Sequence, residues 1–202
     1  MTTDTTQTDI VHGIHNLRKD AGVALVVLIA LALGFALRQY TLSRAIAFQD
    51  SATGFSLQFP AAWGTADSLQ EVLLKVENPA TDSSYKTNLV VEARDLDPQH
   101  PPTLQEFVDR RVTQKGNLTG YHFISEKDDT VAGEKARQIV YAYVVQPNDQ
   151  PRRISLPVVV VAREYIVVAT DRVYYLTLAA PEKEFAAASA QLDEILKTVN
   201  LP

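Results

Sequence analysis

The feature of this chain that most limits how it can fold is an uninterrupted apolar run near its start. The run, AGVALVVLIALALGFAL, extends from Ala21 to Leu37 and contains no charged or strongly polar side chain. At about 1.5 Å of rise per residue, such a helix is about 26 Å long, close to the roughly 30 Å thickness of a hydrocarbon core. The run therefore predicts one transmembrane helix over residues 21–40, with Tyr40 in the far interface.

The apolar positions of this predicted span are distributed along its whole length. They include Ala21, Leu25, Leu28, Leu31, Gly34 and Leu37. A buried core helix is one alternative, but a core helix of this length usually has a polar face. A cleaved signal peptide is another, because Ala45-Ile46-Ala47 has the small-x-small pattern of a cleavage site. Since Arg38 and Arg44 separate that pattern from the apolar run, we expect an uncleaved signal-anchor.

The membrane orientation does not follow from the flanking charges. Two basic residues, Arg18 and Lys19, precede the run, and two more, Arg38 and Arg44, follow it. The positive-inside rule therefore favours neither orientation. A short polar tail before one span and a large C-terminal domain is typical of proteins whose tail is cytoplasmic. We therefore expect a single-pass membrane protein with its C-terminal domain on the extracytoplasmic side.

The chain divides by composition into four segments. A polar tail (1–20), the span (21–40) and a linker (41–50) precede a domain predicted over residues 51–202. The chain has no cysteine, which excludes disulfides, thiolate metal sites and a cysteine nucleophile. Its net charge of −5 argues against nucleic-acid binding, which requires a basic face.

The C-terminal domain is dominated by strand patterns separated by short turns. Strands are predicted over residues 54–59, 71–77, 87–96, 121–126, 136–146, 154–169 and 173–179. The sixth strand is too long to be flat and is interrupted by Pro157 and by Arg163-Glu164, so we expect a bend or bulge within it. Because the connections are short, the sheet should be mostly antiparallel.

Two helices complete the predicted domain. Thr103-Leu104-Gln105-Glu106 fits a capping box, and Gly116 is placed to end that helix. The second helix begins at Pro181 and carries a stripe of apolar residues, which should pack on the sheet. The stripe consists of Phe185, Ala188, Leu192, Ile195 and Val199. The sequence therefore predicts an α+β domain with helices covering a mostly antiparallel sheet.

Three segments of the domain resemble the PsbP-like family. GFSLQFPAAW (54–63) resembles its opening strand and F-P-x-x-W turn, and VAGEKA (131–136), followed by Tyr141, resembles its central glycine hairpin. YYLTLAAP (174–181) and ILKTVNL (195–201) resemble its last strand and closing helix. The resemblance implies an α-β-α sandwich that serves as a binding or assembly module, and no metal-binding residue is carried over from it.

No motif in the chain indicates catalysis, and we expect no enzyme activity, no cofactor and no metal. The pair His12 and His15 has a spacing that can serve a metal, but we interpret it as exposed polar residues beside the membrane. Acidic pairs at Asp95/Asp97 and Asp128-Asp129, and His122 in a strand, are interpreted as surface groups. The basic pair Arg110-Arg111 is likewise interpreted as a solvated face.

Trp63, Arg152 and Arg153 are the candidate partner contacts. Trp63 is the sole tryptophan and is expected to cover the sheet end, with a binding hot spot as the alternative. Arg152-Arg153 follows a strong turn; we expect a solvated face there, with contact to an acidic partner as the alternative.

The function expected from these features is a non-enzymatic, membrane-anchored interaction module. Its partners would be other membrane protein subunits of a larger complex, photosynthetic or respiratory complexes being examples, in which the chain acts as an accessory or assembly subunit. The alternative is a membrane-tethered domain that binds a lipid or another small apolar ligand.

Overall fold

The computed structural model describes residues 22–37, 44–66, 72–97, 99, 102–146 and 156–202. The chain separates into two compact units, Met1–Arg44 and Ala45–Pro202. The second unit begins inside the segment predicted as a linker, because residues 45–49 form a strand that pairs with the next one.

The described part of the first unit is one helix, α1, over residues 22–37. Its large apolar side chains are all exposed, from 51% at Val27 to 65% at Leu37. None of the helices in the described residues is both long and apolar enough to cross a membrane. The predicted end residues Ala21 and Tyr40 lie outside the described residues.

The second unit contains nine described strands in two sheets. They are β1 (Ala45–Gln49), β2 (Ser56–Pro60), β3 (Gly64–Thr65), β4 (Val72–Glu77), β5 (Asn88–Asp95), β6 (His122–Val131), β7 (Glu134–Val145), β8 (Val158–Val168) and β9 (Arg172–Pro181). β1 and β2 form a hairpin, and the other seven form one sheet in the order β3-β4-β5-β9-β8-β7-β6. All the strand pairs described are antiparallel, which confirms the predicted sheet type.

Each face of the large sheet is covered by one helix. These helices are α2 (Leu104–Lys115) and α3 (Phe185–Leu196), the latter preceded by a 3₁₀ turn, Glu182–Glu184. Alternate residues of β9 point to opposite faces, as the strand period requires: Leu176 packs in the cluster that contains α3, and Tyr175 packs in the cluster that contains α2. The hairpin of β1 and β2 contributes to the α3 side through Phe48, Leu57 and Phe59. The domain is therefore an α+β sandwich, with helices on both faces of its sheet.

Both predicted helices are present, but α3 begins at Phe185, after the 3₁₀ turn, rather than at Pro181, and Val199 of the predicted stripe lies beyond its end. Thr103 accepts a hydrogen bond from the Glu106 amide at 3.3 Å, and the Glu106 carboxylate accepts one from the Thr103 amide at 2.7 Å. Gly116 ends α2 as its C-cap. In α3 the apolar stripe faces the core, since Leu192 is 0% and Ile195 4% exposed.

The long strand β8 differs from its prediction. Its 11 residues pair with β7 and β9 without a register shift, so Arg163-Glu164 does not form a bulge, and the described strand begins directly after Pro157, the other predicted interruption. The two charged residues continue the strand because they point to opposite faces and each has a partner there. The described register shifts lie instead between Val72 and Leu74 and between Phe123 and Ser125.

Truncating Leu192 to alanine should destabilise the domain by about 2–5 kcal/mol, because a buried leucine leaves a cavity between α3 and the sheet. The neighbouring Gln191 is exposed, so Gln191→Ala should change the free energy of unfolding by less than about 0.5 kcal/mol. Urea unfolding of the full chain in mild detergent, followed by Trp63 fluorescence, measures both. Equal effects of the two substitutions would refute the described packing of α3.

Candidate functional site

The structure places the sequence-predicted contacts in different environments. Trp63 is only 4% exposed and belongs to the core cluster under α3, so its ring contributes mainly to packing. Arg152, Arg153, His12 and His15 lie outside the described residues, and their roles stay predictions.

The surface acids noted in the sequence are mostly engaged in local ion pairs. Asp128 lies 3.3 Å from Arg137, Asp129 lies 3.3 Å from Lys127, and Asp95 lies 2.6 Å from Arg172. Within the described residues, no group of three or more His, Asp or Glu side chains is arranged to hold a metal ion.

The most unusual polar site in the domain is a buried cluster of charges under α2. At its centre, Arg111 is 5% exposed and Glu164 is 0% exposed. The interpretation of Arg110-Arg111 as a solvated pair is therefore wrong for Arg111. Its side chain lies one turn beyond Phe107 and Val108, on the helix face that packs on the sheet.

Glu164 receives hydrogen bonds from two sides. The Nε of Arg111 donates to its Oε1, and the hydroxyl of Tyr141 donates to its Oε2 at 3.2 Å. Glu164 lies on β8 and Tyr141 lies on β7, and these two strands are neighbours in the sheet. One carboxylate thus links α2 to two central strands.

The other side of the Arg111 guanidinium faces β5. Its Nη2 lies 2.6 Å from Oε1 of Glu92, and its Nη1 lies 3.2 Å from Oε2, which is the parallel two-bond arrangement typical of strong arginine–carboxylate pairs. The guanidinium also lies over the ring of Tyr175, 4.5 Å from its centroid. All three nitrogens of the Arg111 guanidinium therefore have partners within the domain.

The pKa shifts follow from this arrangement. Burial alone would lower the pKa of Arg111, but the charges of Glu164 and Glu92 raise it above its ordinary value. Burial opposes the charged form of Glu92, but its bonds to Arg111 outweigh this and lower its pKa. Burial and the charge of Glu164 raise the pKa of Tyr141, so its hydroxyl keeps its proton and donates it in a hydrogen bond.

Lys115 lies one helical turn after Arg111 and is half-buried. Burial, assisted by the charge of Arg111, lowers the pKa of its ammonium group, against the attraction of Glu164 and Glu92. The cluster thus places two cations beside two carboxylates under one helix.

Two surface recesses adjoin charged side chains. One, of about 220 Å³, lies beside the cluster and is lined by residues that include Arg94, Arg110, Arg111 and Tyr175. The other, of about 560 Å³, lies between the hairpin of β6 and β7 and the end of α3. Arg163 in its lining pairs with Asp193 at 2.9 Å and with Gln138 at 2.9 Å. Each recess therefore contains an arginine, Arg111 or Arg163, that is paired with a carboxylate of the domain itself.

The arrangement is suited to holding elements together rather than to acid–base chemistry. Arg111 and Glu164 satisfy one another, and the hydrogen bonds to Glu164 join α2, β7 and β8. The sequence signal for this cluster is the pair Arg163-Glu164 inside a β-branched run. That pair is easily mistaken for a break in the strand, because sequence alone does not show that α2 supplies a buried arginine opposite it.

Comparisons with known proteins show the fold and no closer relationship. No protein-family model matches the chain, and no curated protein matches it. Among solved structures, cyanobacterial PsbP (CyanoP) from Synechocystis sp. PCC 6803 has 11% identity and a TM-score of 0.56, covering 78% of this chain and 92% of that one. LpqN of Mycobacterium tuberculosis, involved in cell envelope biogenesis, has 12% identity and a TM-score of 0.59, covering 79% and 91%. The predicted PsbP-like fold is therefore confirmed.

Replacing Arg111 by methionine should destabilise the domain by about 3–5 kcal/mol, because it leaves the fully buried Glu164 without its cation. Arg110 is exposed, so Arg110→Met removes the same charge and should change the free energy of unfolding by less than about 0.5 kcal/mol. Urea titrations of both variants at neutral pH check this. A loss below about 1 kcal/mol for Arg111→Met would show that the pair does not hold α2.

The lowered pKa of Glu92 predicts a loss of stability in acid. Because the folded-state pKa lies below the ordinary value of 4.5, the stabilisation is fully present at neutral pH. It disappears as the pH falls below about 4.5 and through the folded-state value. Glu92→Gln should therefore flatten the fall in the urea midpoint between about pH 5 and pH 3. An unchanged slope would assign the acid sensitivity to other carboxylates.

Proposed function

We propose that the chain is a non-enzymatic interaction module tethered to a membrane, acting as an accessory or assembly subunit of a membrane protein complex. The observation that carries the proposal is α1, where every large apolar side chain is at least 51% exposed. Exposure of this much contiguous apolar surface requires a nonpolar environment or a partner.

The anchor in this proposal is the apolar run of residues 21–37, of which α1 is the described part. No charged side chain occurs in it, and Leu28 and Leu31, near its middle, are 64% and 65% exposed. With flanking residues up to 40, the run approaches the length that a bilayer core requires. The proposed orientation places the folded domain outside the cytoplasm.

The buried charges support a non-enzymatic role for the domain. Arg111 is paired with Glu164 and Glu92, and Arg163 is paired with Asp193 and hydrogen-bonded to Gln138. Groups committed to one another in this way stabilise the fold, whereas a general acid or base needs an unoccupied position beside it.

Tethering makes such a module effective even with a modest interface. Confinement to the membrane raises the local concentration of the domain beside a partner anchored in the same bilayer, so weak contacts are sufficient for association. The alternative of a small apolar ligand receives no support from the two recesses described, because charged side chains line both.

The partner side of the proposal is tested by purifying the tagged full chain from native membranes in a mild detergent. Stable companions at a fixed ratio, lost when the domain (residues 45–202) is deleted and retained with Arg110→Met, are the expected result. Elution of the wild-type chain alone under all mild conditions would contradict an accessory role.

Membrane attachment through α1 is tested separately. Replacing Leu28 and Leu31 by lysine should release the chain from membranes on alkaline carbonate washing, since each lysine near a helix centre disfavours insertion by about 2.5–3.5 kcal/mol. The matched control places two lysines at exposed domain positions, Gln191 and Glu182, and should leave the chain in the membrane pellet. Release of the wild-type chain by carbonate would refute the anchor.

A further inference from the structure

The two edges of the large sheet are strongly unequal. At one edge, β3 has only two residues, Gly64–Thr65. At the other, β6 presents ten residues, His122–Val131, and pairs only with β7 among the described strands. Natural sheets usually shorten or cover their edges, because an open edge is a template for another strand.

The outer side of β6 is long and regular. Eight of its ten residues are exposed, including the uninterrupted stretch from His122 to Asp128. The one register shift lies near its start, between Phe123 and Ser125. From Ser125 to Val131 the pairing with β7 is continuous, so seven consecutive residues of this edge keep one register.

The face of this edge that lies on the α2 side carries an aromatic residue followed by acids. Residues that lie opposite each other in an antiparallel pair share a face. Phe123 lies opposite Tyr141, and Glu126 lies opposite Ile139, both of which pack in the α2 cluster. The α2 face of the edge therefore begins with an aromatic ring, 39% exposed, and continues with acids.

Counting Arg137 of β7 with Lys127 and the three acids of β6, this edge has one net negative charge. Lys127 is matched by Asp129 at 3.3 Å on the opposite face, and Arg137 of β7 is shared between Glu126 at 3.1 Å and Asp128 at 3.3 Å. The side chain of Asp128 is nevertheless 85% exposed. Strand β6 itself carries three acids and one lysine.

We propose that β6 is a docking edge that accepts an extended, basic segment of a partner protein as an additional antiparallel or parallel strand. Backbone groups of the edge would supply the affinity, and basic side chains near Glu126 and Asp128 the selectivity. A second copy of this chain is the less suitable occupant, because its edge carries the same negative charge. This inference rests on the proposed role as an interaction module and identifies the surface used.

The test uses the full chain in mild detergent and a capped ten-residue peptide of alternating valine and lysine. The same peptide with glutamate in place of lysine is the control. We expect the lysine peptide to bind and to slow amide exchange at least tenfold at outward-facing positions within residues 125–131. The glutamate peptide should bind at least tenfold more weakly.

A pair of variants tests whether the charge of Asp128 contributes to binding of the lysine peptide. Asp128→Lys should weaken binding of the lysine peptide about tenfold. Glu182→Lys makes the same charge change at an exposed position on another element and should alter it by less than about twofold. Both variants should keep the wild-type urea midpoint, because both sites are on the surface.

Three results would overturn the inference. They are absence of binding by the lysine peptide, equal binding of the two peptides, and exchange protection at an element other than β6. Concentration-dependent protection of β6 without peptide would assign the edge to a second copy instead. If the lysine peptide does not bind at β6 while native companions still co-purify, the proposed function stands and the interface lies elsewhere.

Discussion

The ion pair between Arg111 and Glu164 is the contact on which the α2 side of the domain depends. A carboxylate buried to 0% exposure requires a cation and hydrogen-bond donors, and here they come from α2 and β7. The same guanidinium reaches β5 through Glu92. Arg111 thus pairs with carboxylates on β8 and β5, the two strands that flank β9. These bonds favour one position of α2 over the sheet, and Phe107 and Val108 pack on the sheet in that position.

This constraint separates the molecule into parts with different roles. Within the described residues, the charges under α2 are committed to the fold, whereas the apolar side chains of α1 and most of β6 are exposed. In the proposed role, α1 lies in the bilayer and β6 binds a polypeptide. A module that binds membrane with one segment and protein with another needs no catalytic group, which agrees with the proposed role.

Much of the fold follows from local sequence rules, and the candidate site does not. The capping box at Thr103 and the apolar stripe through Leu192 are local patterns with fixed spacing, so the sequence predicts both helices. The burial of Arg111 depends on Glu164, 53 positions away, and on Glu92, 19 positions away. A single sequence carries no sign of such a distant pairing, and each residue alone is typical of a surface. Strand β1 is not predicted from sequence, because AIAFQ resembles a linker until its partner β2 is considered.

A double-mutant cycle on Arg111 and Glu164 tests most directly whether the buried charges act as a structural pair. The cycle compares Arg111→Met, Glu164→Met and the double variant by urea unfolding. Each single variant should be strongly destabilised, and the double variant should be at least about 1 kcal/mol more stable than the sum of the single effects implies, because it no longer buries the Glu164 carboxylate without its cation. Additive effects within about 0.5 kcal/mol would contradict the account.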